Sequence, residues 1–467
     1  MMNMMMVSRF LSIILIMVMN ISIRTIVFIS AISTQCLEQQ PPPRLVVISF
    51  DAFRPDYMNT TITPNLMKIA VNGVQGKMRS TFVTKTMPNH QSIATGLYEP
   101  WHGVVNNYFI DPMNLTKLPF STDTGASIFY WDMFNHTVPI YIANQLANID
   151  DDNGNSCRFS GSMQWPGSIS SYTDGQNNDR RYRIHYQRTF HPKYDWQSNI
   201  ETVVKWMNDV DQPANLIMMY FDQPDRKAHE FGPFSMEVRE QIKHIDLIVG
   251  HFLDLLDQTN LTSETNLIIL SDHGMSDITM NRVIYLEKCQ HLYPGLDFEL
   301  IGRSPVFSVI PLSKPNNSDN DDIELINSVQ QALRNCSQKL FGNHFQIYQQ
   351  NEIPERYHYR GNRRILSLFM IADEGYELVD MNAANDWQPR NHSWGDHGFD
   401  NYLESMRPLF IADGPAFRHG YIHPIEFENI DLYPLMLTIL NIPSERFLNH
   451  NGTYSNVKQM LNDDEKL

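Results

Sequence analysis

Cysteine is scarce in this chain. Only Cys36, Cys157, Cys289 and Cys336 occur in 467 residues, too few for a disulfide scaffold, so a chain of this length rests on its hydrophobic core. Cys289 is expected to pair with Cys336. Cys157 is left without an assigned partner, because Cys36 lies close to an expected processing point. Basic residues are in deficit as well: 36 Lys and Arg stand against 52 Asp and Glu, a formal net charge of −16. That balance excludes general affinity for nucleic-acid duplexes and anionic membranes, which takes clustered cations. A phosphorylated ligand must then be held by local features, and metal ions are the first candidates. No Gly-x-Ser-x-Gly turn stands out, which makes a serine-hydrolase triad a poor fit. Internal repeats are missing, and 42% hydrophobic content points to a large globular protein rather than disorder or a fibre.

Long apolar runs are confined to the beginning. Residues 10–23 are almost wholly apolar, Arg24 interrupts them, residues 26–32 resume, and the Pro41-Pro42-Pro43 run follows. Residues 1–35 therefore read as a secretory signal segment, with an internal initiator such as Met17 or Met19 and Arg24 as its basic region; a retained signal anchor is the alternative. Membrane contact is expected only through this segment, if it is not cleaved. No later run is long enough to span a bilayer, and the chain ends in Asp463-Asp464-Glu465-Lys466-Leu467, so no C-terminal anchor is expected. Glycosylation sequons begin at Asn59, Asn114, Asn135, Asn260, Asn316, Asn335, Asn391 and Asn451. Together with the apolar start they predict an extracellular glycoprotein.

Residues 45–50 form a short β-branched run that ends on Asp51, the pattern of a strand buried on both faces. Residues 215–221 repeat it before Asp222 and Asp225, residues 267–270 before Ser271-Asp272-His273-Gly274, and residues 409–412 before Asp413. Helical spacing appears over residues 64–70, from Thr86 to a stop at Gly96, and from Met236 to Leu256, where Ile242, Ile245, Ile248, Phe252 and Leu255 recur at three and four. This alternation predicts an α/β fold with a mostly parallel central sheet and helices on both faces. Ligands of such sheets bind at the carboxyl ends of the strands, where Asp51, Asp225 and Asp272 fall. Between about residues 297 and 364 the chain turns polar, with 316–322 reading as an exposed loop. This stretch is expected to be a smaller inserted subdomain within one catalytic domain spanning 36–467.

The stretch Thr84-Lys85-Thr86-Met87-Pro88-Asn89-His90 reads as a nucleophile at the mouth of a helix. Pro88 suits the first turn, and Thr86 is expected just outside it, near the unpaired N–H groups and the positive end of the helix dipole. A hydroxyl there is either an N-cap or, if its pKa is lowered, a nucleophile toward phosphorus. Asp225 and His229 lie four apart, on one face of a helical turn. Asp272 and His273 are adjacent in a loop, and His397 stands in the glycine-flanked Gly395-Asp396-His397-Gly398. Each has a structural alternative as a cap or a solvated loop residue; together they make a mixed Asp and His set, without Cys, that suits zinc. Two such ions could activate a nucleophile and hold the charged oxygens in displacement at phosphorus.

Residues 48–54, 84–90, Pro224-Asp225 with His229, 271–275 and 395–398 resemble, in order and spacing, the ectonucleotide pyrophosphatase/phosphodiesterases of the alkaline-phosphatase superfamily. The resemblance runs from about Arg44 to Thr453, and includes Pro354-Glu355-Arg356-Tyr357-His358-Tyr359 and Asn451-Gly452-Thr453. It implies an alkaline-phosphatase-like fold and two Zn²⁺ ions. Asp225, His229 and His397 would hold one; Asp51, Thr86, Asp272 and His273 would hold the other. Thr86 would attack phosphorus to form a covalent nucleotidyl-threonine. Asn107 matches the family's donor to a phosphate oxygen, a turn residue otherwise, and Trp165 lies in a stretch resembling the family's substrate pocket, where it stacks on a base or is plain core.

Three departures stand out. Ala52 replaces the usual glycine after the first Asp, Asn106 stands where members often have Asp, and Arg226-Lys227 put two cations between metal ligands. No cysteine-rich modules precede the matched region and no nuclease-like domain follows it, as in the short, single-domain members. The expected activity is hydrolysis of nucleotide phosphodiester or pyrophosphate bonds to nucleoside 5′-monophosphates, with a small-molecule nucleotide as substrate. The alternatives are a choline-lipid phosphodiesterase of the same family and a catalytically silent surface binding protein.

Overall fold

The computed structural model describes residues 41–113, 116–118, 128–132, 134, 136–147, 157–175, 180–312, 319–380, 389–447 and 449–462. In chain order it begins with β1 (Arg44–Phe50), α1 (Pro64–Asn72), β2 (Val74–Gln75), α2 (Thr86–Thr95) and α3 (Ile140–Leu146). Then come β3 (Phe159–Met163), β4 (Tyr186–Arg188), α4 (Trp196–Met207), β5 (Ala214–Phe221), α5 (Asp225–Phe231), α6 (Met236–Gln258), β6 (Thr265–Leu270) and β7 (Ser276–Ile278). A smaller unit follows, with β8 (Phe298–Arg303), β9 (Val306–Pro311), α7 (Asp319–Leu340), β10 (Phe345–Gln349) and β11 (Leu368–Ala372). The chain returns through β12 (Trp394–Asp396), β13 (Phe410–Asp413), β14 (Tyr421–Ile422) and α8 (Leu432–Ile439).

The main sheet has eight strands in the order β14-β2-β13-β6-β1-β5-β3-β4. All neighbours pair in parallel except β13, which is antiparallel to both β6 and β2. The predicted mostly parallel sheet is therefore present, and so are the four predicted strands. Side chains alternate across it: Leu45 and Val47 enter one apolar cluster with residues of α2, α3 and α8. Val46, Ile48 and Phe50 enter a second, with residues of α1, α4 and α6. A strand buried on both faces needs apolar residues at every position, which is why these runs show no polar alternation. Each fully buried side chain of this kind contributes roughly 1.5–3 kcal/mol.

The smaller unit is an antiparallel sheet in the order β8-β9-β11-β10, packed with α7 around its own apolar cluster. One expectation fails here. Asp319 to Asp322 open α7 rather than continue a loop, since acidic residue types are favoured in the first turn of a helix by its dipole; residues 316–318 lie outside the described residues. Cys289 is joined to Cys336 on α7, as expected, and Cys157 is disulfide-bonded too. Residues 1–35 and the sequons at Asn114, Asn135 and Asn316 lie outside the described residues. Asn59, Asn260 and Asn391 are exposed. Among the described residues no helix is long and apolar enough to cross a membrane.

The Cys289–Cys336 bond bridges a sequence separation of 47, so it removes substantial loop-closure freedom from the unfolded chain. Replacing both cysteines by serine is expected to cost about 2–4 kcal/mol, read as a lowered thermal unfolding midpoint.

Candidate active site

Three adjacent strands, β6, β1 and β5, deliver the first functional groups at their carboxyl ends. Asp51 follows β1, Asp225 opens α5 after β5, and Asp272 and His273 follow β6. Backbone bonds lock these ends together: Asp51 N donates to Phe221 O at 2.9 Å, and Asp225 N donates to Asp51 O at 3.1 Å. His397 arrives by a different route, after β12, which pairs antiparallel with β7, and β7 follows the Asp272-His273 loop. Sheet topology thus gathers residues that lie far apart in the sequence.

Thr86 is the first residue of α2, with Lys85 at the N-cap and Pro88 third in the helix. This corrects the expected placement of Thr86 outside the helix by one residue. Proline is as tolerable at the third position as at the first, since none of the first four N–H groups has an intrahelical partner. Gly96 ends the helix in the left-handed region, at φ 68°. Thr86 is nearly buried, and its hydroxyl oxygen lies 3.3 Å from His273 Nε2.

The three imidazoles share one arrangement. His229 Nδ1 is 2.8 Å from Gly395 O, His273 Nδ1 2.9 Å from Gly274 O, and His397 Nδ1 2.8 Å from Thr84 O. A carbonyl only accepts, so each Nδ1 carries a hydrogen and each Nε2 faces the site, with its lone pair free in the neutral ring. The rings of His273 and His397 stack with centroids 3.6 Å apart.

Facing these lone pairs are carboxylate oxygens with nothing to bond. Asp51 Oδ1, Asp225 Oδ1 and Asp272 Oδ2 are buried and, among the described residues, have no hydrogen-bond partner. His273 Nε2 is 3.1 Å from Asp272 Oδ2 and 3.4 Å from Asp51 Oδ1. Asp225 Oδ1 is 3.3 Å from His229 Nε2 and 3.5 Å from His397 Nε2. Two donors each roughly 2 Å from a tetrahedral ion lie about 3.3 Å apart, so these separations fit metal ligation. Two groups of donors emerge: Asp225, His229 and His397, and Asp51, Asp225 and His273. Asp225 stands between them, a sharing not foreseen from the sequence, and Asp272 borders the second group through His273.

Electrostatics point the same way. Burial, then the Asp272 and Asp225 carboxylates, push Asp51 well above its usual range. Against its own burial, Asp272 is held down to about 2 by His273 and His90. Burial pulls His397 well below normal, with His273, Lys85 and His229 adding to it. Burial also acts to lower His229, but the Asp225 carboxylate outweighs it and raises the ring to about 9. Crowded acidic and imidazole groups of this kind become compatible when a cation sits among them.

Beside this cluster opens a cavity of about 650 Å³ whose lining includes His229, His397, Asn107, Lys85 and Arg303. Asn107 Oδ1 accepts a hydrogen bond from Met87 N at 2.9 Å, which fixes the side chain and leaves its amide hydrogens to donate. Trp165 is elsewhere: it is buried, is not among the cavity-lining residues, and its ring meets His90 edge-on at 4.9 Å. That is the plain-core placement, with no face offered to a base. Of the two cations between Asp225 and His229, Arg226 pairs with Asp222 at 3.1 Å and Lys227 with Glu230 at 3.7 Å. Ala52 takes the left-handed conformation, φ 57°, and its N–H donates to Asp272 Oδ1 at 3.2 Å. A β-carbon in that conformation costs roughly 1–2 kcal/mol, so glycine would be the less strained residue at this position.

Sequence reasoning gave no role to several residues that hold the site. Tyr220 donates to Asp51 Oδ2 at 2.6 Å, but in the sequence it looks like any core aromatic of β5. His90 lies 2.8 Å from Thr86 O and 2.9 Å from Ser49 Oγ, at 0% exposure. Lys85 donates to Ser304 O at 2.8 Å and sits 3.5 Å from Asp396, with burial drawing its pKa down. Its place beside Thr86 was the one available signal.

Residues 45–400 match the family model described as type I phosphodiesterase / nucleotide pyrophosphatase. Bis(5′-adenosyl)-triphosphatase ENPP4 of Homo sapiens is 33% identical over 425 residues, covering 90% of this chain and 83% of that protein. Ectonucleotide pyrophosphatase/phosphodiesterase family member 5 of Homo sapiens is 32% identical over 434 residues, covering 92% and 81%. Among solved structures, an inactive variant of murine ectonucleotide pyrophosphatase/phosphodiesterase 5 in complex with AMP is similar at a TM-score of 0.73 and 30% identity, covering 90% of this chain and all of that one. The family resemblance and the fold expected from the sequence both hold.

Metal uptake by this cluster must displace protons. In the metal-free protein His229 is protonated below about pH 9, and only the neutral ring binds a metal, so affinity rises with pH up to that point. Calorimetric titration of the metal-free protein at pH 7, in buffers of different ionisation enthalpy, is expected to show net proton release.

Proposed function

The chain belongs to the type I phosphodiesterase / nucleotide pyrophosphatase family, and on that premise we propose that it hydrolyses nucleotide phosphodiester and pyrophosphate bonds to nucleoside 5′-monophosphates outside the cell, using two Zn²⁺ ions and Thr86 as nucleophile. The observation that carries this reading is the convergence of three unpartnered carboxylate oxygens with His273 Nε2, 3.3 Å from the Thr86 hydroxyl. Asp225, His229 and His397 would hold one ion; Asp51, Asp272 and His273, with Thr86, would hold the other. Bound zinc lowers the pKa of a coordinated hydroxyl and neutralises charge on phosphate oxygens.

The protein's own groups supply the rest. Helix α2 presents the Thr86 oxygen at its positive end, where negative charge is favoured. The Thr86 hydroxyl gives up its proton to solvent, its oxygen bonds to phosphorus as the bond to the leaving group breaks, and the leaving group departs with the electron pair and takes up a proton from solvent. A water oxygen then bonds to phosphorus as the bond between Thr86 and phosphorus breaks, and one proton of that water passes to the threonine oxygen, which releases the monophosphate and restores the hydroxyl. The Asn107 amide, held by its bond to Met87 N, is placed to donate to a phosphate oxygen as charge grows there. The AMP complex of the murine relative's inactive variant supports a nucleotide as the ligand class. Exposed sequons at Asn59, Asn260 and Asn391 and the Cys289–Cys336 bond support export from the cell.

Thr86→Ala is expected to lower turnover of a p-nitrophenyl nucleotide ester by on the order of 10³-fold or more while the protein still carries zinc. Turnover that persists in this variant counts against the nucleophile, and turnover that persists in EDTA counts against the metal. Asn107→Ala is expected to lose roughly 10²–10³-fold in kcat. A p-nitrophenyl phosphocholine substrate, run beside the nucleotide ester, decides between the nucleotide and choline-lipid activities.

A further inference from the structure

Of the two oxygens of Asp51, one is committed and one is not. Oδ2 accepts the Tyr220 hydroxyl at 2.6 Å, whereas Oδ1 is buried, unpartnered and 3.4 Å from His273 Nε2. A carboxylate is otherwise free to swivel, since its terminal torsion is broad and two-fold. We propose that Tyr220 is a positioning residue of the metal centre: its hydroxyl pins the Asp51 carboxylate so that Oδ1 alone is offered to a cation. The inference rests on the reading that the cluster takes up zinc.

Everything around Tyr220 keeps that hydroxyl in place. Tyr220 lies on β5 in register with Ser49 of β1, two residues before Asp51, so strand pairing sets its distance from the carboxylate. Its ring meets His90 edge-on at 4.9 Å and Phe190 at 5.8 Å, and only 6% of the residue is exposed. The backbone of the same strand acts too, with Phe221 O accepting from Asp51 N at 2.9 Å. One strand end thus fixes the ligand residue through main chain and side chain together. The bond length is that of a charge-assisted hydrogen bond to an anionic oxygen, and partners of this kind govern how tightly a ligand residue holds its metal.

The test is zinc affinity, measured on the full chain by competition with a chromophoric chelator. In Tyr220→Phe, which keeps the ring and removes the donor, affinity is expected to fall 10–100-fold, and excess zinc is expected to restore turnover of the nucleotide ester. In an Asp51→Ala background the same substitution is expected to leave zinc affinity unchanged, because the group it acts through is gone. Equal affinity of wild type and Tyr220→Phe, or the same loss with Asp51 removed, overturns the proposal. So does failure of the metal-free Tyr220→Phe chain to fold, which would make the hydroxyl a structural requirement. Wild-type protein that takes up no zinc overturns the metal reading itself, an outcome distinct from a loaded wild type with an unaffected variant.

Discussion

Three carboxylates crowded into a buried space repel one another, and the rest of the architecture answers that repulsion. At an effective dielectric constant of about 20, two charges 4 Å apart interact by roughly 4 kcal/mol, and removing each from water adds to the cost. Among the described residues no arginine or lysine forms an ion pair with the unpartnered oxygens. Instead the protein ties the other oxygen down, as Tyr220 does for Asp51 and the Ala52 N–H does for Asp272. What remains is a set of directed, unpartnered carboxylate oxygens beside three inward-facing imidazole nitrogens. The two-sided apolar packing of β1, β5 and β6 supplies the stability that lets such a cluster persist.

Much of this was legible in the amino-acid sequence. Apolar runs ending on Asp51, before Asp225 and before Asp272 mark buried strands with polar groups at one end, because a strand covered on both faces has no other pattern available. The remainder hides for physical reasons. Residues 409–412 announce burial but not direction, so nothing in them says that β13 runs against its neighbours. The polar stretch at 316–322 reads as a solvated loop because polarity is the local signal, while the helix that begins at Asp319 is decided by the apolar face of residues farther on, such as Val329 and Leu333. Trp165 and Tyr220 are both aromatics in apolar surroundings, and only the fold shows that one packs behind His90 while the other reaches an Asp51 oxygen.

The smaller unit matters to the site through one wall. Arg303 and Ser304, at the turn between β8 and β9, line the cavity, and Lys85 donates to Ser304 O from the residue preceding Thr86. The unit is therefore fastened beside Thr86. The residue that caps α2 also holds the cavity wall, so the position of Thr86 and the shape of the space in front of it are set together.

The carbonyls that hold the imidazoles come from the ligand-bearing loops themselves. Gly395, two residues before His397, holds His229, and Thr84, two before Thr86, holds His397. Each of these rings is thus oriented by the main chain of the next functional segment, in a sequential brace that runs from His229 through His397 to the threonine. Such a brace makes the centre one mechanical piece. A displacement anywhere along it is passed on toward the Thr86 oxygen, and the rings are held facing inward through their Nδ1 atoms.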